Sequence, residues 1–434
     1  MKREKDTTEG NSMRRIKILY FLLIFSITLC FSQDVCPPSF SPPGGLSVSK
    51  VPMFVAFGWD DNQYADGMDW VVDLMDGKTN PSGIGNAATY DGTPVRCTFF
   101  MKGLVESDDE VQDVYDSWKR AYDATHEIGN HTWRHVAIDA ENEIRRCDST
   151  LEFIGIPKDE VVGFRTPQLA IVPSMFDAMY KRPFLYDCTV EHHTAKENSG
   201  QFVWPYTLEN GHHSSAFGGL TTSYSGMWEM PVYQFTDGGT GFDYNEWTSG
   251  SSGSAYCSKL KGDLDHRLST NRCPFLIGVH SDYYATTNTY FESITSSTCS
   301  SRRSAISDFV DYALTKSDVR IVPFVDIIKW MRNPVALDDN TYVQITPMKK
   351  GNNSLSIKVL PDKRIKLSIP AAGAYTVSLF SINGRKISTL HQRILSAGYH
   401  TIAYNPKSVA AGIYIFQVMG MNGQRAVCSF LVRS

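Results

Sequence analysis

The 434-residue chain is short of several features that would each define a class. No apolar run is long enough to cross a bilayer. The longest candidate, Ile18 to Phe31, has 14 residues, against the ~20 a spanning helix needs. There is no excess of either charge: 42 Lys+Arg and 46 Asp+Glu leave −4, and charged residues are 20% of the chain. That balance excludes a generally basic nucleic-acid coat and a disordered acidic tail protein. No C-x-x-C pair occurs, which leaves a cysteine zinc site without support. The Glu of an H-E-x-x-H metallopeptidase is also missing, since Thr132 follows His131. What remains is a globular chain, 42% hydrophobic and two to three domains long at ~100–200 residues each.

The short apolar run follows Arg14, Arg15 and Lys17 and precedes Ser32 and Gln33. This is the layout of a signal peptide, residues 1–33, with cleavage near Gln33. Met13 begins a more conventional signal than Met1. The expected product is exported, secreted or at the cell surface, with no membrane span after signal removal. A lipid anchor on Cys30 is disfavoured by the bulky Leu29 before it. Eight cysteines then remain, Cys36, Cys97, Cys147, Cys188, Cys257, Cys273, Cys299 and Cys428. An even number in an exported chain suggests disulfides, with Cys257, Cys273 and Cys299 the strongest candidates in a Ser/Gly/Thr-rich region.

Residues 34–50 read as an N-terminal linker. Over 51–337, short apolar runs alternate with amphipathic stretches, as in parallel strands separated by helices. The expected strands are Met53 to Trp59, Arg96 to Met101, Val161 to Phe164, Phe184 to Asp187, Trp228 to Tyr233, Phe275 to Val279 and Arg320 to Pro323. Helices are expected over Asp108 to Asp123, Glu141 to Ile154, Ser174 to Tyr180, Arg303 to Lys316 and Val325 to Met331. The class is α/β, a barrel or a wound sheet. A linker is expected at 338–355, then a small all-β sandwich over 356–434 with hairpin turns at Asn383-Gly384 and Asn422-Gly423. Its main strands would be Ala374 to Phe380, Tyr399 to Tyr404, Gly412 to Val418 and Ala426 to Val432. Charge is uneven: from 355 onward ten Lys+Arg face the single acid Asp362.

Polar residues gather after the apolar runs, where α/β folds place their sites. The first strand ends in Asp60-Asp61-Asn62, which suits metal binding or base chemistry, or capping of the next helix. His131 and His135, spaced i and i+4, would share one face of a helix and could reach one ion. They need a third ligand, and a carboxylate from another strand end would complete a set of two His and one Asp. Arg165 follows Val161 to Phe164, and His280 follows Phe275 to Val279. His192-His193 and His212-His213 lie in polar stretches and are discounted. Trp204, Tyr206, Tyr224, Tyr233, Phe242, Tyr244 and Trp247 fall on expected loops over the barrel mouth, where rings stack on sugars, although packing explains most of them equally well.

These motifs, Asp60-Asp61, His131-Thr-Trp-Arg-His135, Arg165-Thr-Pro167 and Ile277-Gly-Val-His280, resemble in order those of the polysaccharide deacetylases (carbohydrate esterase family 4, NodB homology). Thr98-Phe-Phe100 and Trp228-Glu-Met-Pro231 support the match, and Phe184-Leu-Tyr-Asp-Cys188, Trp204-Pro-Tyr-Thr-Leu208 and Ile327-Ile-Lys-Trp330 look most like the chitin-deacetylase branch. The resemblance implies a distorted, incomplete β/α barrel. It also implies a hydrolase with Asp61, His131 and His135 as metal ligands, Asp60 as general base, Arg165 as its charge partner and His280 as general acid. The cofactor would be a divalent metal, zinc or else cobalt. The substrate would be an acetylated polysaccharide such as chitin or peptidoglycan, the alternatives being an acetylxylan esterase or a non-catalytic carbohydrate-binding protein. Gly58-Trp59 and Gln168 depart from the family's pattern. The basic tail, through Gly373-Ala-Tyr-Thr-Val-Ser-Leu-Phe380, Asn383-Gly-Arg-Lys-Ile387, Ala397-Gly-Tyr-His400 and Val409-Ala-Ala-Gly-Ile-Tyr414, resembles a type IX secretion sorting domain. That resemblance makes the secretion machinery a partner. A rival view, a carbohydrate-binding module, rests on its positive charge. No nucleic acid partner is expected.

Overall fold

The structure is a computed structural model that describes residues 34–434 except 193–199, 213–219, 287, 289–293, 340–343, 347–354, 361–363, 382–384, 405–411, 421–424 and 433–434. The expected signal peptide, His193, His213, both hairpin turns of the tail and most of the 338–355 linker lie outside the described residues.

The first part is α/β. Its strands are β1 (Met53–Asp61), β2 (Thr98–Met101), β3 (Glu127–Asn130), β4 (Gly163–Phe164), β5 (Tyr186–Asp187), β6 (Glu191–His192), β7 (Tyr206–Leu208), β8 (Tyr224–Glu229), β9 (Val232–Tyr233), β10 (Phe275–His280) and β11 (Val319–Ile321). Nine of them form one curled sheet, a partial barrel, in the order β10-β1-β2-β3-β4-β5-β8-β7, with β11 also on β1. β6 and β9 pair separately. All neighbours in the large sheet are parallel except β7 and β8. Every residue of β1 is buried, the signature of a strand covered on both faces. The helices are α1 (Ala65–Asp76), α2 (Val111–Asp123), α3 (Ala140–Phe153), α4 (Pro173–Lys181), α5 (Asp243–Thr248), α6 (Gly253–Ser269), α7 (Ser296–Leu314) and α8 (Phe324–Arg332).

Strand register builds the rim. Asp60 pairs with His280 and Asp61 with Met101, Met101 with Asn130, Asn130 with Phe164, and Phe164 with Asp187. The residues just past these partners, His131 and Arg165 among them, therefore emerge side by side at the carboxyl ends.

Several expectations are corrected. β3 was not anticipated, because Glu127-Ile-Gly-Asn130 carries one large apolar residue. Nor were α1, α5 and α6. Neither Asp60 nor Asp61 caps α1, which starts after Tyr64 and whose Ala65 N–H donates instead to Asp109 Oδ2 at 2.9 Å. His131 and His135 are not on a helix: Thr132 and His135 have φ of 66° and 59°, and α3 begins only at Ala140. The expected disulfides are absent as well, since all eight cysteines from Cys36 to Cys428 are free. The Cys273 thiol instead donates to the Val203 carbonyl at 3.1 Å and that of Cys299 to the Tyr284 carbonyl at 3.2 Å. The 34–50 segment is strapped to the sheet, with Thr207 N donating to Cys36 O and Trp204 N to Ser39 O, both at 2.8 Å.

The tail adds β12 (Gln344–Thr346), β13 (Ser356–Val359), β14 (Arg364–Ile369), β15 (Gly373–Ser381), β16 (Lys386–Leu395), β17 (Gly398–Ala403), β18 (Gly412–Gly420) and β19 (Arg425–Val432). They form two four-stranded antiparallel sheets, β12-β17-β14-β13 and β16-β15-β18-β19. Ile365, Leu367 and Ile369 from one and Val377, Leu379, Phe416 and Val418 from the other share a core, so the tail is a sandwich. β12 falls inside the stretch expected to be linker.

Candidate active site

The turn after β1 sets the geometry. Asp61 and Asn62 are both left-handed, at φ 64° and 62°, a conformation that costs non-glycine residues of order 1 kcal/mol each. Asn62 holds it: its amide donates to the Trp59 carbonyl (2.9 Å) and the Phe100 carbonyl (3.1 Å), and it accepts from Ser281 Oγ at 2.9 Å. The acid pair is thus turned across the rim, with Asp60 3% and Asp61 5% exposed.

His131 Nδ1 lies 2.7 Å from the carbonyl oxygen of Arg165. A carbonyl can only accept, so Nδ1 carries the proton and Nε2 presents its lone pair. That Nε2 is 3.8 Å from Asp61 Oδ1, and His135 Nε2 is 3.6 Å from the same oxygen. Burial, followed by the neighbouring His135, pushes His131 down to about 3, so its ring is neutral, as a metal ligand must be. Asp61 Oδ1 is buried without a hydrogen-bond partner. An oxygen so placed between two imidazole lone pairs is incomplete without a cation. Donors bound at ~2.0–2.2 Å to one tetrahedral ion stand roughly 3.4 Å apart, close to what is found. The three ligand atoms all lie within 4.8 Å of one another, so the residues fit a divalent metal.

Beside them, Asp60 Oδ1 accepts from Arg165 Nη1 at 2.6 Å. The guanidinium also donates from Nε to the Cys188 carbonyl at 2.9 Å and from Nη2 to Cys188 Sγ at 3.0 Å, with the ring of Phe100 4.4 Å from its Cζ. Burial raises the pKa of Asp60, opposed by Arg165 and then His280. Gly58 leaves the room for this pair: a Cβ there would stand 2.9 Å from Arg165 Nη2 and 3.0 Å from Phe100 Cε2. The departure at Gly58-Trp59 therefore has a use beyond packing.

Across the rim, His280 Nδ1 is bonded to Asp243 Oδ1 at 2.8 Å, and the His280 N–H donates to Asp243 Oδ2 at 3.1 Å. Burial opposes the imidazolium, but the Asp243 carboxylate, ahead of Asp60 and Asp61, raises its pKa to about 9. Sequence reasoning missed Asp243, in the first turn of α5, where only the flanking aromatics Phe242 and Tyr244 drew notice. It also missed Asp282, which accepts from Gln63 N at 2.7 Å. Burial and then the charge of Asp61 raise its pKa.

Asp60, Asp61, His131, His135, Thr166, Gln168, Glu191, Phe242, Tyr244 and His280 are among the residues lining one cavity of about 810 Å³, large enough for a sugar unit with neighbours. Five of the six candidate residues thus line this cavity, and Arg165, buried behind it, bonds Asp60. His192 lies apart, its Nε2 3.1 Å from the Tyr206 hydroxyl. Trp204, Tyr206, Tyr224, Tyr233 and Trp247 are buried in the core, so they pack and do not line the mouth. A larger depression, about 1080 Å³, lies at the amino ends of the strands. The Glu127 carboxylate there accepts from Thr98 Oγ1, the Tyr186 hydroxyl and Val325 N.

The chain is similar to a chitin deacetylase. Over 364 residues it is 24% identical to chitin deacetylase 8 of Bombyx mori, covering 75% of this chain and 86% of that protein. No family model matches. Among solved structures, a protein described as a polysaccharide deacetylase from Mycobacterium smegmatis is 15% identical with TM-score 0.46, over 68% of this chain and 95% of that one. The chitin deacetylase of Colletotrichum lindemuthianum is 13% identical with TM-score 0.35, over 65% and 90%. A family pseudoenzyme of Bacillus anthracis is 10% identical with TM-score 0.35, over 64% and 66%.

Proposed function

We propose that the chain is an exported, metal-dependent deacetylase acting on an N-acetylglucosamine polymer, chitin or peptidoglycan. The observation that carries this is the unpartnered Asp61 Oδ1 between two imidazole Nε2 atoms, with the buried Asp60 and the Asp243-bonded His280 on the same cavity. Asp61, His131 and His135 would hold the ion. Zinc, or cobalt with the same donors, supplies there a site that acidifies water and polarises the acetyl oxygen. Asp60 takes the proton of the attacking water. Arg165 keeps Asp60 ionised against its burial and aims Oδ1. His280, charged at neutral pH through Asp243, delivers a proton to the departing sugar nitrogen. One water is consumed, and acetate and a free amine result.

The test is acetate release from chitin oligomers, peptidoglycan and acetylated xylan, with and without added zinc, for wild type, Asp60→Asn and His135→Ala. Release from the first two that needs metal and both side chains supports the proposal. Release from xylan alone would make the enzyme an esterase. No release from any substrate would leave a carbohydrate-binding protein. In the same proposal residues 51–337 are the catalytic domain and 356–434 a sorting domain that engages type IX secretion machinery. Deleting 356–434 should then trap the enzyme inside the cell, and continued secretion of the truncated chain would count against it.

A further inference from the structure

Two carboxyls near Arg165 take no part in the reaction as described. Asp187 ends β5 and Glu229 ends β8, and strand register sets them directly opposite each other. Both are 0% exposed, and neither has an ion-pair partner among the described residues. Two carboxylates cannot both stay ionised in a dry site without a cation, so the pair must share a proton. The bonding says which residue carries it. Both oxygens of Asp187 accept from Thr189, Oδ1 from the hydroxyl at 2.6 Å and Oδ2 from the N–H at 3.1 Å. Glu229 Oε1 accepts from Val190 N at 3.2 Å, while Oε2 accepts from no donor. The proton therefore sits on Glu229 and is donated to Asp187, with which it is bonded. Burial, followed by the charge of Asp187, pushes Glu229 well above the carboxylate range.

What the pair holds is the corner between β5 and β6. Its three bonds to Thr189 and Val190 fix the backbone over 187–190, the first of them closing an Asx turn. That corner in turn grips the site. The Cys188 carbonyl accepts from Arg165 Nε at 2.9 Å, Cys188 Sγ accepts from Nη2 at 3.0 Å, and Thr189 Oγ1 accepts from Thr166 N at 2.9 Å. With Nε and Nη2 so engaged, Nη1 is the donor turned to Asp60. The titratable groups on the surrounding elements are Arg165, Cys188, whose thiol feels both carboxyls, Tyr186 before Asp187, Tyr206 opposite Glu229 on β7, and Glu191 and His192 on β6. Space-filling does not explain two acids here, since apolar residues of similar volume fill a dry site without the cost of desolvating a charge.

We infer that Asp187 and Glu229 are positioning residues: bonded through one shared proton, they lock the Cys188–Thr189 corner against Arg165 and so aim the carboxylate of Asp60. The catalytic half of this inference rests on the deacetylase reading; the shared proton does not. Loss of that proton puts two charges side by side and loosens the corner, and Asp60 then meets its burial without a fixed guanidinium.

The test compares wild type with Glu229→Gln, Glu229→Leu and Asp187→Asn in the full chain. A glutamine amide donates to Asp187 and accepts from Val190 N as the protonated acid does, so Glu229→Gln should keep acetate release within roughly threefold of wild type. Asparagine at 187 turns an NH2 group toward a Thr189 donor, and leucine at 229 bonds nothing. Asp187→Asn and Glu229→Leu should therefore lose roughly tenfold or more in kcat, with KM changed less than about threefold. Zinc binding should be retained in both, and the acid limb of the pH profile, set by Asp60, should move up by about one pH unit as Arg165 loosens. A second readout needs no activity. The folded value of Glu229 lies above the unfolded one, so wild type loses stability relative to Glu229→Gln as pH rises from about 5 to about 8. The urea midpoint of the glutamine variant should climb against that of wild type over the same range. The isosteric Glu229→Gln carries the test if the other two variants do not fold. A constant midpoint difference overturns the shared proton. Glu229→Gln as damaging as Glu229→Leu, or an acid limb that does not move in Glu229→Leu and Asp187→Asn, overturns the positioning role. If wild type releases no acetate while the midpoint climbs, the deacetylase reading and the positioning role fail together and the shared proton stands.

Discussion

Replacing Asp243 by Asn keeps the shape of the side chain and removes its charge, and the structure says what should follow. Burial alone drives His280 below the ordinary 6.5, and the carboxylate of Asp243, before any other group, brings it up to about 9. At ~1.36 kcal/mol per pH unit that preference for the charged ring is roughly 3 kcal/mol. The folded value lies above the unfolded one, so this stabilisation is complete below the unfolded value and disappears as pH rises through about 9. Urea unfolding should find Asp243→Asn less stable than wild type by about 2–3 kcal/mol near pH 6 and by much less near pH 10. Acetate release should respond in parallel. If the histidine falls by one to two pH units, its protonated fraction at about pH 8 drops roughly two- to tenfold, and the alkaline limb of the profile moves down with it. Equal destabilisation at both pH values, or an alkaline limb that does not move, would refute the role assigned to this pair.

Removing a ligand, Asp61→Ala or His135→Ala, should weaken zinc binding roughly 100-fold or more by equilibrium dialysis; full retention would mean the cation sits elsewhere. Asp60→Asn should keep the metal and lose roughly 10²–10⁴-fold in acetate release, whereas loss of metal together with activity would make Asp60 a ligand. Gly58→Ala should cost about 1–3 kcal/mol in urea unfolding by crowding Arg165 and Phe100, and a stability equal to wild type would show that the guanidinium has slack. Alkylating the unfolded chain without reductant should add eight groups between Cys36 and Cys428, counted by mass spectrometry of peptides; any linked pair would contradict the free thiols.

Much of the frame was legible in the order of residues. Buried parallel strands are apolar on both faces, so Met53 to Trp59 and Phe275 to Val279 stand out as continuous runs, and the abrupt polar residues after them mark a rim. The sandwich was legible through alternation, since one face of each strand must leave water. Short or polar elements were not legible: β3 contributes the edge from which His131 emerges, yet its letters carry no period. The i, i+4 spacing suggested a helix, and the two imidazoles converge by another route, through left-handed turns at Thr132 and His135. Asp243 could not be read at all as a partner of His280, because 37 residues separate them and nothing local links an acid in a short helix to a strand end.

By itself, then, the amino-acid order determined which side chains are chemically able to hold a cation, move a proton and form two kinds of sheet, because those properties belong to residue types and their periodicity. Only the folded chain decided which of them meet. Distance between groups far apart in the chain is set by strand register and by turns such as Asp61-Asn62, and it is that distance, with the water excluded around it, that leaves Asp61 Oδ1 lacking a partner and His280 holding its proton.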